Sequence, residues 1–231
     1  MTLSPAVPLL PTTTGRPARR PAAEGPRPVP GHNRWHPAIP GVAEVITGGS
    51  VRMECAGREP GADAMLCGPL VVVGAEPGDV IVVDVLGVGR ADGLYCASGH
   101  PGVIGCAPPE RSVRAAAPDG DDGPVLLGGV HPAIRARVAA EAVRSEARGR
   151  EIGGCAIAPL TAGSRILLPV HVRGAKLSVG DLHFPARGAL DCGTAALRGW
   201  IDLRINLTRR GIERFRVGGP MLMPSPSPRI A

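Results

Sequence analysis

Along residues 42–89 and 164–207 the chain is a succession of short apolar runs broken by glycine. The runs 42–46 and 51–55 alternate on either side of Thr47-Gly48-Gly49-Ser50, and two short alternating runs about a glycine turn predict a β-hairpin. The device recurs at residues 70–89, where Val-rich runs flank Glu76-Pro77-Gly78-Asp79. There proline presets φ and glycine supplies the positive φ of a turn. Further on, the runs 164–172 and 175–184 flank Arg173-Gly174. Residues 201–207 alternate strictly, with Ile201, Leu203, Ile205 and Leu207 on one face and Asp202, Arg204 and Asn206 on the other, the period of a half-buried strand. Residues 131–150 break the pattern. They are rich in Ala, Arg and Glu, with Pro132 near the start and Gly149 near the end. Ile134, Val138 and Ala142 recur every fourth position and predict a weakly amphipathic helix of about four turns. The elements together predict a mainly β fold, a sandwich or barrel-like core with one or two helices.

Composition sharpens this outline. The 231 residues include 33 glycines and 26 prolines, yet 44% are hydrophobic, too apolar for a disordered chain. Residues 1–30 hold eight of the prolines and no hydrophobic period. They read as a flexible Pro-rich leader, with the folded domain spanning 31–231. The net charge is +6, distributed as +4 over residues 1–36, −7 over 37–130 and +9 over 131–231. Only five aromatics accompany it, so no basic stripe is interleaved with stacking rings and no nucleic-acid partner is expected. Six cysteines at 55, 67, 96, 106, 155 and 192 form no Cys-x-x-Cys pair, which fits reduced thiols and a cytoplasmic location. No apolar stretch reaches the ~18 residues of a membrane span, so no membrane partner is expected.

Nucleophile-elbow, Walker and His-Glu-x-x-His motifs are absent, and no nucleotide cofactor is expected. The strongest candidate for chemistry is Asp181-Leu182-His183. Positions i and i+2 of a strand share a face, so a carboxylate and an imidazole converge there. Such a pair ligates a metal or acts as a base with its orienting acid; a solvated Asp beside a packed His is the plainer alternative. Residues 32–37, His-Asn-Arg-Trp-His-Pro, either bring ligands to a pocket or form an N-terminal segment pinned by one buried Trp. His100 to Cys106 carries glycine amides suited to an anion or oxyanion, with Cys106 read as a small buried thiol. His131 and His171 are read as incidental.

Five segments in order, GHNRWHPAIP at 31–40, GPLVVVGAEPGDVIVVDVL at 68–86, HPGVIGCAP at 100–108, GSRILLPVHVRGAKLSVGDLHF at 163–184 and GWIDLRINL at 199–207, together resemble the acetamidase/formamidase family. The resemblance implies an enzyme that hydrolyses small linear amides, formamide or acetamide, to ammonia and carboxylate. It also implies a β-rich cytoplasmic homo-oligomer and a divalent metal ion, zinc or calcium. The motif positions it marks are His32, Asn33, His36, Glu54, His100, Asp181 and His183. It implies Asp181, His183 and His100 as catalytic, His32, Asn33 and Glu54 as substrate-binding, and His36, Asp181 and His183 as metal ligands. Three departures accompany it. The chain is shortened near 90–99, where the family carries a long insertion. Residues 153–158 lack the family's Asn, Asp and Lys, and residues 185–191 lack its Glu. These departures motivate an alternative, a member that has lost catalysis and serves as a binding or interaction protein. Asp191 discriminates the two, since its carboxylate beside Asp181 and His183 would replace the missing Glu and in solvent would leave the site without its acid.

Overall fold

The computed structural model of the chain describes residues 31–59, 61–94, 96, 98–111, 124–145, 160–185 and 196–223. The leader, the stretch 153–158 and residues 186–191, Asp191 included, lie outside them.

The strands are β1 (Arg34–Trp35), β2 (Ala43–Val45), β3 (Ser50–Cys55), β4 (Leu66–Val72), β5 (Val80–Arg90), β6 (His100–Cys106), β7 (Val143–Arg144), β8 (Arg165–Pro169), β9 (Leu177–His183), β10 (Gly199–Thr208) and β11 (Met221–Met223). The helices are α1 (Pro132–Glu141) and α2 (Gly211–Phe215). A five-stranded sheet runs β11-β8-β5-β10-β3, a four-stranded sheet runs β2-β4-β9-β6, and β1 pairs with β7. The two larger sheets share one core. Met53, Val83, Ile166 and Leu203 of the first meet Leu70, Ile104 and Val179 of the second. The fold is therefore mainly β, a sandwich of facing sheets.

Strand positions follow the sequence pattern, but their pairing does not. The turn at 47–49 makes no hairpin: β2 pairs in parallel with β4, while β3 pairs with β10. Its glycines are tied to β10 instead, by Gly48 N–H to the Ile205 carbonyl at 2.7 Å and Ile205 N–H to the Gly49 carbonyl at 3.0 Å. The Glu76–Asp79 turn likewise carries the chain from β4 in one sheet to β5 in the other. Asp79 fixes it by accepting from the Glu76 N–H at 3.0 Å, the Arg210 N–H at 2.9 Å and the Arg209 guanidinium at 2.8 Å. Burial opposes ionisation of this carboxyl, and these donors outweigh it, holding the group below the ordinary carboxylate range. The turn at Arg173-Gly174 repeats the crossing, from β8 to β9.

Helix α1 is shorter than its pattern predicts. The chain leaves it at Ala142, which is extended at φ −74° and ψ 142°, so that Val143 and Arg144 can pair with Trp35 and Arg34. The indole Nε1–H of Trp35 donates to the Ser145 carbonyl at 2.9 Å. A strap formed by residues 32–36 thus lies over the four-stranded sheet, where Trp35 packs with Ala64, Leu66, Val103 and Val143 in a second apolar cluster.

Candidate active site

β9 begins as an ordinary strand, with Leu177 and Val179 in the core and Ser178 facing the strap. At Asp181 the backbone turns left-handed, φ +58°, a region that Asp tolerates better than most residues. The alternation resets there, and Leu182 rather than Asp181 enters the core. Asp181 and His183 are consequently brought together at 3.0 Å, Nε2–H of the imidazole donating to carboxylate Oδ2. Both are buried, at 5% and 1% exposure.

β6 supplies the adjoining wall. Its register sets His100 opposite His183, and the two rings stack with centroids 5.8 Å apart and an interplanar angle of 29°. Nδ1–H of His100 donates to the Ser98 carbonyl at 2.9 Å. Gly102 comes so close to the pair that an added Cβ would strike Asp181 Oδ2 and sit 2.8 Å from His183 Nε2. Glycine is the residue that permits this approach.

The loop after β3 adds a group that the sequence pattern does not announce. Arg58 donates from Nε to Asp181 Oδ1 at 2.6 Å and from Nη2 to Oδ2 at 3.4 Å. Burial pushes the Asp181 carboxyl up, and His183 and Arg58 together reverse that and hold it below its ordinary value. Asp181 is thus an anion fixed between a guanidinium and an imidazole. The other ring nitrogen of His183, Nδ1, is buried and has no hydrogen-bond partner among the described residues. Buried polar groups are nearly always satisfied, so an orphan atom beside an ionised carboxylate makes this pair the candidate for chemistry.

The other residues at motif positions are placed elsewhere. Nδ1–H of His32 donates to the Arg34 carbonyl at 2.7 Å, and the Ser178 hydroxyl donates to its Nε2 at 2.9 Å. Burial lowers its pKa to about 4, so it is a neutral, satisfied core histidine. Asn33 spends its amide on the backbone, donating to the Pro124 carbonyl and accepting from the Leu126 N–H, each at 2.8 Å. Nδ1 of His36 accepts from the Ala38 N–H at 3.0 Å, and Nε2–H donates to Glu141 at 3.2 Å, which ties it to α1 rather than to Asp181. Glu54 is exposed on β3 and lines a 380 Å³ cavity with Arg90, Arg198 and Trp200. Cys106 is buried, and that burial pushes its thiol well up, so no thiolate nucleophile forms there.

The divalent ion implied by the resemblance does not fit this arrangement. Both Asp181 oxygens are engaged, one nitrogen of His183 already carries the shared proton, and a guanidinium stands beside the carboxylate. Among the described residues no three His, Cys, Asp or Glu side chains gather as a metal site, so His36, Asp181 and His183 do not form one.

Comparison with known proteins bears on what this pair serves. The profile of the Acetamidase/Formamidase family matches residues 19–96 and 92–229. The formamidase of Methylophilus methylotrophus is 29% identical, over 84% of this chain and 68% of that one. The acetamidase of Mycolicibacterium smegmatis is 30% identical, over 85% and 70%. Among solved structures, the gamma lactamase from Delftia acidovorans superposes with a TM-score of 0.70 at 27% identity, over 86% of this chain and 69% of that one. On the profile match and these relatives, the chain belongs to the acetamidase/formamidase family.

Proposed function

We propose that this chain hydrolyses the carbon–nitrogen bond of small linear amides, formamide and acetamide, to ammonia and the carboxylate. The named relatives act as amide or lactam hydrolases, which lends no support to the binding-protein alternative. The single observation that carries the reading is the buried Nδ1 of His183, without a partner among the described residues, beside ionised Asp181. Asp181 holds Nε2–H, so Nδ1 takes a proton from water as its oxygen bonds to the carbonyl carbon. The carbonyl π pair moves onto oxygen, giving a tetrahedral oxyanion beside the Arg58 cation. As the oxyanion collapses, the carbon–nitrogen bond breaks, and the proton on Nδ1 passes to the departing ammonia. His100, stacked on His183, keeps the imidazole plane in place.

Ammonia release from formamide and acetamide tests this. His183→Ala is expected to lower turnover by about 10²–10⁴, the usual share of a general base. Equal rates in wild type and variant overturn the reading. The likeness to a gamma lactamase favours a second reading, a five-membered lactam as substrate, and that compound in the same assay distinguishes the two. We also place the protein in the cytoplasm as a homo-oligomer. Cys55, Cys67, Cys96 and Cys106 are free thiols, which suits a reducing compartment. Among the described residues no helix is long and apolar enough to cross a membrane.

A further inference from the structure

We infer that Arg58 supplies, as a fixed side-chain cation, the positive charge that a divalent metal would bring to the Asp181–His183 pair, so that the pair operates without a metal ion. The inference rests on the proposed amidase reading for the reaction, but its structural half stands apart from it.

Three observations converge. First, Arg58 grips both carboxylate oxygens of Asp181, at 2.6 and 3.4 Å, the forked contact that a planar guanidinium makes with a carboxylate. Its backbone is anchored as well, with Arg58 N–H donating to the Ala196 carbonyl at 2.9 Å. Second, the edge where Asp181 Oδ2 meets His183 Nε2 is occupied. Oδ2 also accepts from His183 Nε2, and Gly102 of β6 packs against the same two atoms. Third, the charges balance. The Asp181 side chain is 6% exposed and that of Arg58 is 17% exposed, and in so dry a place a second cation beside the guanidinium is repelled rather than bound. Arginine stays protonated throughout the accessible pH range, so Arg58 moves no proton. It holds a constant positive charge beside the atom on which negative charge develops.

The test combines metal content with turnover. Wild type and Arg58→Ala are incubated with zinc chloride, dialysed, and assayed for zinc per chain, while formamide turnover is followed with and without EDTA and with added guanidinium chloride at low millimolar concentration. Wild type is expected to retain no stoichiometric zinc and to keep its rate in EDTA. Arg58→Ala should lose about 10²–10³ in rate and recover part of it with guanidinium ion, which a merely structural arginine would not allow. With the guanidinium gone, Asp181 and His183 should gain zinc affinity, read as more zinc per chain than wild type at the same zinc chloride concentration. Roughly one zinc per wild-type chain, removed by EDTA together with turnover, overturns the inference. So does an Arg58→Ala enzyme of undiminished rate. Should Arg58→Ala fail to fold, Arg58→Lys takes its place: it keeps the charge without the fork and is expected to remain zinc-free at reduced rate. A zinc-free wild type that hydrolyses no amide, beside a variant that binds zinc, upholds the replacement of metal by Arg58 and removes the amidase reading instead.

Discussion

Two buried histidine clusters lie near one another against the four-stranded sheet, and they differ in how completely they are satisfied. In the strap, His32 uses both ring nitrogens, Asn33 uses both ends of its amide, and His36 uses both of its nitrogens. On β9, His183 uses one nitrogen, and the other has no partner among the described residues. The backbone differs in the same sense, since Asp181 is held in a left-handed conformation that persists only where its surroundings enforce it. The strap has the denser sequence of polar and aromatic groups, yet it is the one that acts as scaffold. Saturation, rather than density of functional groups, singles out the β9 pair as the proposed site of chemistry.

Substitutions on each side can break this contrast. The largest effect is expected from Asp181→Asn, which removes the charge that orients His183. Turnover should fall by about 10²–10⁴ in protein that remains folded, although leaving Arg58 unpaired also lowers the unfolding midpoint; retained activity would assign β9 the structural role. On the strap, Trp35→Ala should cost about 3–5 kcal/mol of stability by denaturant titration, because the indole is 1% exposed and anchors Ser145. His32 predicts a pH dependence. Its folded pKa of about 4 lies below the unfolded value of 6.5, so the stability it contributes is complete above pH 6.5 and is lost as the pH falls towards 4. The loss amounts to about 3 kcal/mol. His32→Gln should flatten that part of the stability profile; an unchanged slope would mean that His32 is not the buried neutral group described. The smallest effect belongs to the outer face of the other sheet, where Arg52 lies 4.0 Å from the Trp200 ring centroid and pairs with Asp202. Arg52→Ala there should leave the denaturation midpoint nearly unchanged.

The sequence pattern reaches strand positions, which depend on the local period of two, and it sets Asp181 and His183 on one face; it does not reveal the left-handed backbone at Asp181 that takes that face out of the core. It does not reach strand partners. A glycine turn such as Thr47–Gly49 has the same chemistry whether the next strand pairs with the last or crosses to the facing sheet. The β1–β7 pairing that cuts α1 short at Ala142 is equally invisible, since it joins residues more than a hundred positions apart. Arg58 has no local signal either, being a loop arginine among many, and only the fold brings it to Asp181. His36 shows the converse: a histidine in a distinctive motif whose partners turn out to be a nearby backbone amide and Glu141.

The crossing turns bear on how the protein is made. Among the described residues β3 pairs with β10 alone, Arg52 reaching Asp202 across 150 positions of sequence. At synthesis rates of about 5–20 residues per second, β3 leaves the ribosome on the order of ten seconds before its partner exists. During that interval it is an unpaired strand open to neighbouring nascent chains. Arg52 and Glu54, which point to solvent in the finished sheet, place opposite charges on the strand throughout that wait, and charged edges discourage intermolecular pairing.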